Sequence, residues 1–586
     1  MIGDLRTAAL VGPDGAIDWF CWPRFDSPSV FARLLDADKG GCWRLAPLDA
    51  GDGEMSYLPE TALLVTEHQS AGGPLRVTDA MLAPASGAGS SIVRVVEAAD
   101  DIELESVIDV RPDYARAAAA IAETEAGARF SGPGFDAELV IGGAEVVAVD
   151  SDGPMIRHRL RLGAGERASL VLACGQAATV DAVAALDDCA RYWREWCRKC
   201  GYEGEFRDDV LRSAITLKLL THEGTGAIVA APTTSLPEEI GGVRNWDYRY
   251  SWLRDASLTV HALLATEQRD EAAPFMRWVC DRLGAVDDPE DLQIVYAVDG
   301  QGALTEVELE HLEGYKRSRP VRVGNAAHTQ LQLDVYGEIV ECLRICHDYE
   351  LEIDDVWDDF RRLIDWVAEN WRRADDGIWE VRSGRRHFVY SKVMAWVALD
   401  RGARLVETGR DGDGHRWRGE AEKVHADVLA RGFSERLNSF TQSYDEEVLD
   451  ASNLLIPLVG FLPRDDARVQ GTIDAVLAHL TENGLVYRYR GADDGLPGGE
   501  GTFAVCTFWL ASALAVCGRG AEARAVFEHM LGFRNRLGLY AEEIDAATGA
   551  QLGNFPQAFT HLGLIGAAIE LARSGVAAAE STAAAP

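Results

Sequence analysis

The chain has 586 residues, 47% of them hydrophobic, enough to bury a large core and to divide into two domains. Its 94 acidic and 57 basic residues give a formal charge of -37, which repels nucleic acid and anionic membranes and excludes both as partners, while a neutral sugar would feel little of that field. No run approaches the roughly 20 apolar residues of a membrane helix.

At the start, Met1-Ile2-Gly3-Asp4-Leu5-Arg6 lacks a charged leader followed by an apolar run, so no signal peptide is expected. Eleven scattered cysteines fit reduced thiols, and the expected location is the cytoplasm. Residues 1 to about 190 read as β-rich. Short apolar runs such as Ala62–Thr66, Ile92–Val96, Leu139–Ile141 and Leu170–Leu172 are broken by Gly, Asp and Pro clusters, and Met155–Leu162 alternates. That spacing predicts an antiparallel β-sandwich, with Asp14-Gly15 at the turn of an opening hairpin. Cys197-Arg198-Lys199-Cys200 is a lone C-x-x-C in a helix-like segment and reads as structural.

From about Tyr202 the period becomes helical. Helix starts are expected near Arg207, Trp252, Glu271, Ala326, Ile353, Phe388, Gly419, Ala451, Asp465, Phe503, Ala521 and Pro556. Twelve helices joined by loops suit an (α/α)6 barrel over residues 191–575, and the Ala-rich 576–586 tail reads as disordered.

The loops carry the chemistry. Gly241–Asp255 holds four aromatic and five charged residues in fifteen, a density suited to binding sugar faces and hydroxyls and costly in an ordinary core. Glu380 follows Trp379, an apolar neighbour that would raise its pKa. Glu542, in Gly538-Leu539-Tyr540-Ala541-Glu542-Glu543, is the candidate for a second carboxylate in a more polar setting, ionised and able to activate water. That division of labour is what glycosidic hydrolysis requires. Glu500 reads either as a substrate contact or as a charge opening the next helix. The stretch Cys21–Pro28 reads as domain-packing glue, and no histidine set forms a metal site, so no catalytic metal is expected.

Asn245-Trp246-Asp247-Tyr248-Arg249-Tyr250-Ser251-Trp252-Leu253-Arg254-Asp255 resembles the sugar-binding loop of glycoside hydrolase family 15, the glucoamylase and trehalase family. Gly377-Ile378-Trp379-Glu380, Glu313-Gly314-Tyr315, Ser318-Arg319-Pro320-Val321-Arg322, Tyr540–Ile544 and Leu552–His561 are similar to its other blocks, in the right order. The likeness is strongest to bacterial trehalases of the mycobacterial type. Val381 departs from the fungal glucoamylases, which carry a second acid there.

The resemblance implies a β-sandwich followed by an (α/α)6 barrel and an inverting mechanism. Glu380 would be general acid and Glu542 general base, their carboxyls about 6.5–9.5 Å apart. Arg254 and Asp255 would hold the inner glucose. Trp246, Tyr248, Trp252, Tyr315, Trp379, Glu543 and Arg488, with Arg490 as the alternative to Arg488, would complete the sugar site. No cofactor is needed for the chemistry, and phosphate and Mg2+ dependence comes from the resemblance alone. The expected activity is exo-acting α-glucoside hydrolysis, foremost of α,α-trehalose. A glucoamylase-type glucohydrolase is the alternative, and a catalytically inactive sugar sensor another. The partner is a small sugar, with homo-oligomerisation left open.

Overall fold

The computed structural model describes residues 1–82, 90–174, 181–351, 356–444 and 446–575. The expected disordered tail, 576–586, lies outside the described residues, as does the helix start at Ile353.

The N-terminal part is two eight-stranded antiparallel sheets. One runs in the order Ile2–Gly3, Ala8–Val11, Ala16–Cys21, Cys42–Pro47, Ile102–Asp109, Met155–Leu162, Glu145–Asp152, with Ser29–Phe31 beside the third strand. The other runs Ala120–Thr124, Gly127–Gly132, Phe135–Gly142, Arg167–Cys174, Ser91–Ala98, Gly73–Met81, Leu64–Ser70, Glu54–Tyr57. Alternation decides which face is inward. Along Met155–Leu162, Ile156, His158, Leu160 and Leu162 are buried while the residues between them are more open. The inward sets of both sheets form one core that includes Phe20, Phe31, Trp43, Leu104, Phe130, Leu160 and Leu172. The opening hairpin turns at Asp14-Gly15, where Gly15 takes φ 77°.

Helix Ala182–Cys197 lies against the strands Ser91–Ala98 and Arg167–Cys174. Beyond it the chain alternates outer and inner helices. The outer ones are Arg207–Leu219, Ala272–Gly284, Trp357–Asn370, Gly414–Arg431, Ala467–His479 and Gly520–Leu531. The inner ones are Leu253–Ala265, Leu333–Asp348, Val389–Glu407, the 3-10 turn Ala451–Leu455, Ala504–Val516 and Ala558–Arg573. Each inner element touches the next, and the last touches the first, so the ring closes. Inner helices are apolar on nearly every side: twelve of the thirteen residues of Ala504–Val516 are buried, because the helix meets a neighbour all round. The fold is a β-sandwich followed by an (α/α)6 barrel.

Three expected starts move. The helix expected from Ala326 is a 3-10 turn there and becomes α-helical at Leu333; that expected from Gly419 begins at Gly414; the one at Ala451 is a single 3-10 turn. At Asn325 and Asp450 a side chain accepts a hydrogen bond from the backbone two residues on, which favours a tight turn over a helix.

The two parts share a core. Met1, Leu5, Trp19 and Phe25 of the sandwich belong to the same buried cluster as the barrel helices. Trp19 Nε1 donates to Pro232 O at 2.6 Å, and Asp26 Oδ2 accepts from Val298 N at 3.0 Å. Arg249 of the barrel donates to Ser27 O at 2.8 Å. The Cys21–Pro28 stretch binds the two parts together.

Candidate active site

The N-termini of the inner helices Leu253–Ala265, Ala504–Val516 and Ala558–Arg573 gather at one end of the barrel. There the starts Trp252–Asp255, Phe503 and Gln557–Phe559 and the loop Ile378–Arg382 line a cavity of about 290 Å³. The segment 246–250 shows how one extended run serves two purposes. Trp246 and Tyr248 face the cavity. Asp247 and Arg249 turn away into a fully buried ion pair of 2.6 Å against the sandwich. Period two places alternate residues on opposite sides.

Glu380 lines the cavity from a left-handed backbone position, φ 58°, at the end of its loop. Its Oε1 accepts from Trp252 Nε1 at 2.7 Å and lies 3.6 Å from Arg254 Nη2. Burial raises its pKa, Arg254 pulls it down, Asp255 pushes it up and the Trp252 bond pulls it down; the net is upward. The indole that touches Glu380 is therefore Trp252. Its chain neighbour Trp379 lines the cavity but donates to Asp450 at 3.0 Å and rests on Phe503 and Trp509.

Glu542 enters the same cavity from the far end of the chain. It follows the buried Tyr540 and is held beside the short strand Glu543–Ile544, which pairs with Thr502–Phe503. Tyr248 donates to Oε1 at 2.6 Å, and Oε2 has no hydrogen-bond partner. An added Cβ at Gly553, itself at φ 76°, would stand 2.6 Å from Oε2, so only glycine leaves that oxygen its space. The expectation of a more polar setting is corrected here. Glu542 is 1% exposed, and the Glu380 side chain is 24% exposed. Burial and then Glu238 push the Glu542 pKa well up, against the Tyr248 bond and Arg488, with Glu380 adding a further push.

Arg254 and Asp255 open the first inner helix and form an ion pair of 3.1 Å on the cavity wall. Arg254 also donates to Gln332 Oε1 and Ile378 O, each at 3.0 Å, and faces Asp334 at 3.5 Å. Arg488 lines the cavity, joined to Glu238 at 3.3 Å and to Glu500. Arg490 is turned outward onto Glu482, so Arg488 is the arginine of this site.

Two expected sugar contacts fall elsewhere. Tyr315 lines a separate groove with Leu10, Phe533 and Phe555. Glu543 is wholly buried behind the wall, where Oε2 accepts from Gly501 N at 2.7 Å. As the strand neighbour of Glu542 it must point the other way. Glu500 pairs with Arg244 and Arg488 and belongs to the ion network beneath the wall.

Sequence reasoning passed over Glu238, Asn325, Gln330, Asp494 and Gln557, all on the wall. Glu238 accepts from Trp246 Nε1 at 2.9 Å, and burial, opposed first by Arg488, raises its pKa to about 7. Pro237-Glu238-Glu239 just ahead of the aromatic loop was the available signal.

The ions implied by the resemblance do not fit this site. Glu238, Glu500 and Glu543 bring carboxylate oxygens within 4.8 Å of one another, a hard-donor set suited to Mg2+. The Arg488 guanidinium already lies among them, facing all three. The cavity arginines Arg244, Arg254, Arg382 and Arg488 are each paired with a carboxylate, which leaves phosphate no free cation there.

A wall carrying Glu380 and Glu542 with an arginine–aspartate pair and several indoles is the equipment of a glycoside hydrolase. The chain belongs to glycosyl hydrolases family 15, whose model matches residues 204–569; a trehalase-like N-terminal model matches 1–191. It is 38% identical to a trehalase of Mycolicibacterium smegmatis and 39% identical to one of Mycobacterium tuberculosis, over 98% of this chain and 90% and 89% of theirs. In structure it is similar to a bacterial glucoamylase complexed with acarbose, TM-score 0.70 at 13% identity, covering 97% of this chain and 94% of that one.

Proposed function

We propose that the protein is an inverting α,α-trehalase, hydrolysing trehalose to two glucose molecules. The observation that carries the chemistry is that Glu380 and Glu542, 162 positions apart in the chain, line one cavity with different partners. The named relatives support trehalose as the substrate. Arg254 and Asp255 hold hydroxyls of the inner glucose. Glu380, whose pKa burial raises, donates its proton to the bridging oxygen as that bond breaks. Glu542 in its ionised form, which Tyr248 and Arg488 favour against burial, takes the proton of the water attacking the opposite face of the anomeric carbon. Tyr248 holds one Glu542 oxygen and leaves Oε2 for that proton. Inversion leaves room for the water, with the carboxyls about 6.5–9.5 Å apart. Trp246, Trp252, Trp379 and Arg488 complete the wall.

Among the described residues no helix is long and apolar enough to cross a membrane. All eleven cysteines are unbridged, which supports a reducing, cytoplasmic location.

The test is glucose release from trehalose, maltose, isomaltose and soluble starch. Release from trehalose, lost by at least about 10³-fold in both Glu380→Gln and Glu542→Gln, is expected. Preference for maltose or starch would move the protein to the glucoamylase side. Full activity in either variant would remove that residue from the chemistry.

A further inference from the structure

One side of the cavity is closed by a segment with no core of its own. Residues 491–501 read Gly-Ala-Asp-Asp-Gly-Leu-Pro-Gly-Gly-Glu-Gly, with Gly491, Gly495 and Gly498 at φ 76°, 77° and 90°. Asp494 and Leu496 line the cavity, while Gly491, Asp493, Gly495, Pro497, Gly498 and Gly499 face water. The segment is thus a single layer of chain between substrate space and solvent.

It is fastened from two rims. On one, Arg382 N donates to Asp494 O and Arg386 Nη2 to Asp493 O, each at 2.7 Å. On the other, Arg244 Nη2 pairs with Asp494 at 2.8 Å and Nη1 with Glu500 at 3.2 Å, and Gly499 N donates to Glu239 Oε2 at 3.0 Å. Asp494 is the knot: its carboxylate also accepts from Tyr489 Oη and from Leu496 N, both at 2.9 Å. None of these contacts involves Glu380 or Glu542; only the last two residues of the segment reach the surroundings of the base, Glu500 through Arg488 and Gly501 through Glu543. What it supplies is enclosure. At about 290 Å³ the cavity stands at the low end of small-ligand sites, roughly 300–1,000 Å³.

We propose that segment 491–501 is a strap that sets the length of sugar admitted. Latched by Arg244 on Asp494, it closes the outer wall so that a disaccharide fits and a third ring is refused. This rests on the disaccharide-hydrolase reading above. The specificity lies in a wall that blocks the longer ligand, as selection against an alternative requires.

Two variants test the strap. Arg244→Met removes the latch. Glu239→Ala removes the anchor on Gly499 without touching the cavity lining. Each is assayed on whichever disaccharide the wild type hydrolyses, with maltose and maltotriose as competing inhibitors, and by trypsin cleavage after the exposed Arg490. The expected result is faster cleavage in both variants. Maltotriose inhibition should gain on maltose inhibition by at least about tenfold in Arg244→Met and about threefold in Glu239→Ala. An inhibition ratio unchanged within about twofold in both overturns the proposal, whether or not cleavage accelerates. If Arg244→Met fails to fold, Glu239→Ala decides alone. Failure of the trehalase reading shows separately, as wild-type preference for another disaccharide, and leaves the ratio measurable.

Discussion

The sandwich and the barrel each bury an arginine beside acidic groups, Arg94 and Arg254, and these two are held in opposite ways. In the sandwich, Arg94 and Asp79 are wholly buried and satisfied: two bonds between them at 2.8 and 3.2 Å, the rest of the guanidinium on Trp43 O and Gly15 O. One cation meets one anion. In the barrel, Arg254 faces Asp255, Asp334 and Glu380 at 3.1, 3.5 and 3.6 Å. Its Nε, both oxygens of Asp334 and Oε2 of Glu542 have no hydrogen-bond partner. Unsatisfied buried polar atoms are costly, and a fold tolerates them where a ligand completes the set. The closed pair marks structure and the open cluster marks the site.

Four substitutions bear on that contrast. Arg254→Met would leave three carboxylates crowded without their cation. It should cost at least about 10²-fold in kcat/KM, measured against a Tm that falls far less than activity does. A parallel loss of both would make the open cluster a structural one. Arg94→Met strands Asp79 in the sandwich core and should lower stability by about 3–5 kcal/mol in denaturant unfolding, with kcat of the folded fraction unchanged.

A subtler case is Glu338, on the inner helix Leu333–Asp348, which accepts from Tyr390 Oη at 2.5 Å. Burial raises its pKa to about 8 despite that bond. A carboxyl whose folded pKa exceeds its unfolded value near 4.5 takes up a proton on folding. Its stabilising contribution is therefore whole below about 4.5 and is lost as pH rises through about 8. Glu338→Gln should raise Tm above pH 8 relative to the wild type and change it little at pH 5. The smallest effect is expected of Trp252→Phe. The lost bond had favoured the Glu380 anion, so the alkaline limb of kcat/KM should move up. A downward move would mean that Trp252 acts on Glu380 mainly through burial.

The barrel was legible because its inner helices begin where the aromatic and charged clusters end. Starts expected at Trp252, Phe388 and Phe503 are seen at Leu253, Val389 and Ala504. Local turn chemistry hid the rest, as at Ala326 and Ala451. In the site, Arg254, Asp255, Tyr248 and Trp252 could be read from one continuous stretch. The surroundings of Glu542 could not, since its neighbours Tyr248 and Glu238 come from about 300 residues earlier. Nothing local distinguishes a buried glutamate from a solvated one. Tyr315 misled for the matching reason: its block is similar to the family pattern, but which groove the ring enters depends on Leu10 and Phe555, distant in the chain.

The segment 246–250 carries one last consequence. Tyr248 grips Glu542 on one side of it, and on the other Arg249 reaches across to Ser27 and Cys21. Cutting away the sandwich would expose the Asp247–Arg249 pair to water and free the segment that aims Tyr248. The barrel is thus no detachable module that could be grafted onto another partner and still work. In this protein the N-terminal sandwich is the jig in which the reactive groups are set.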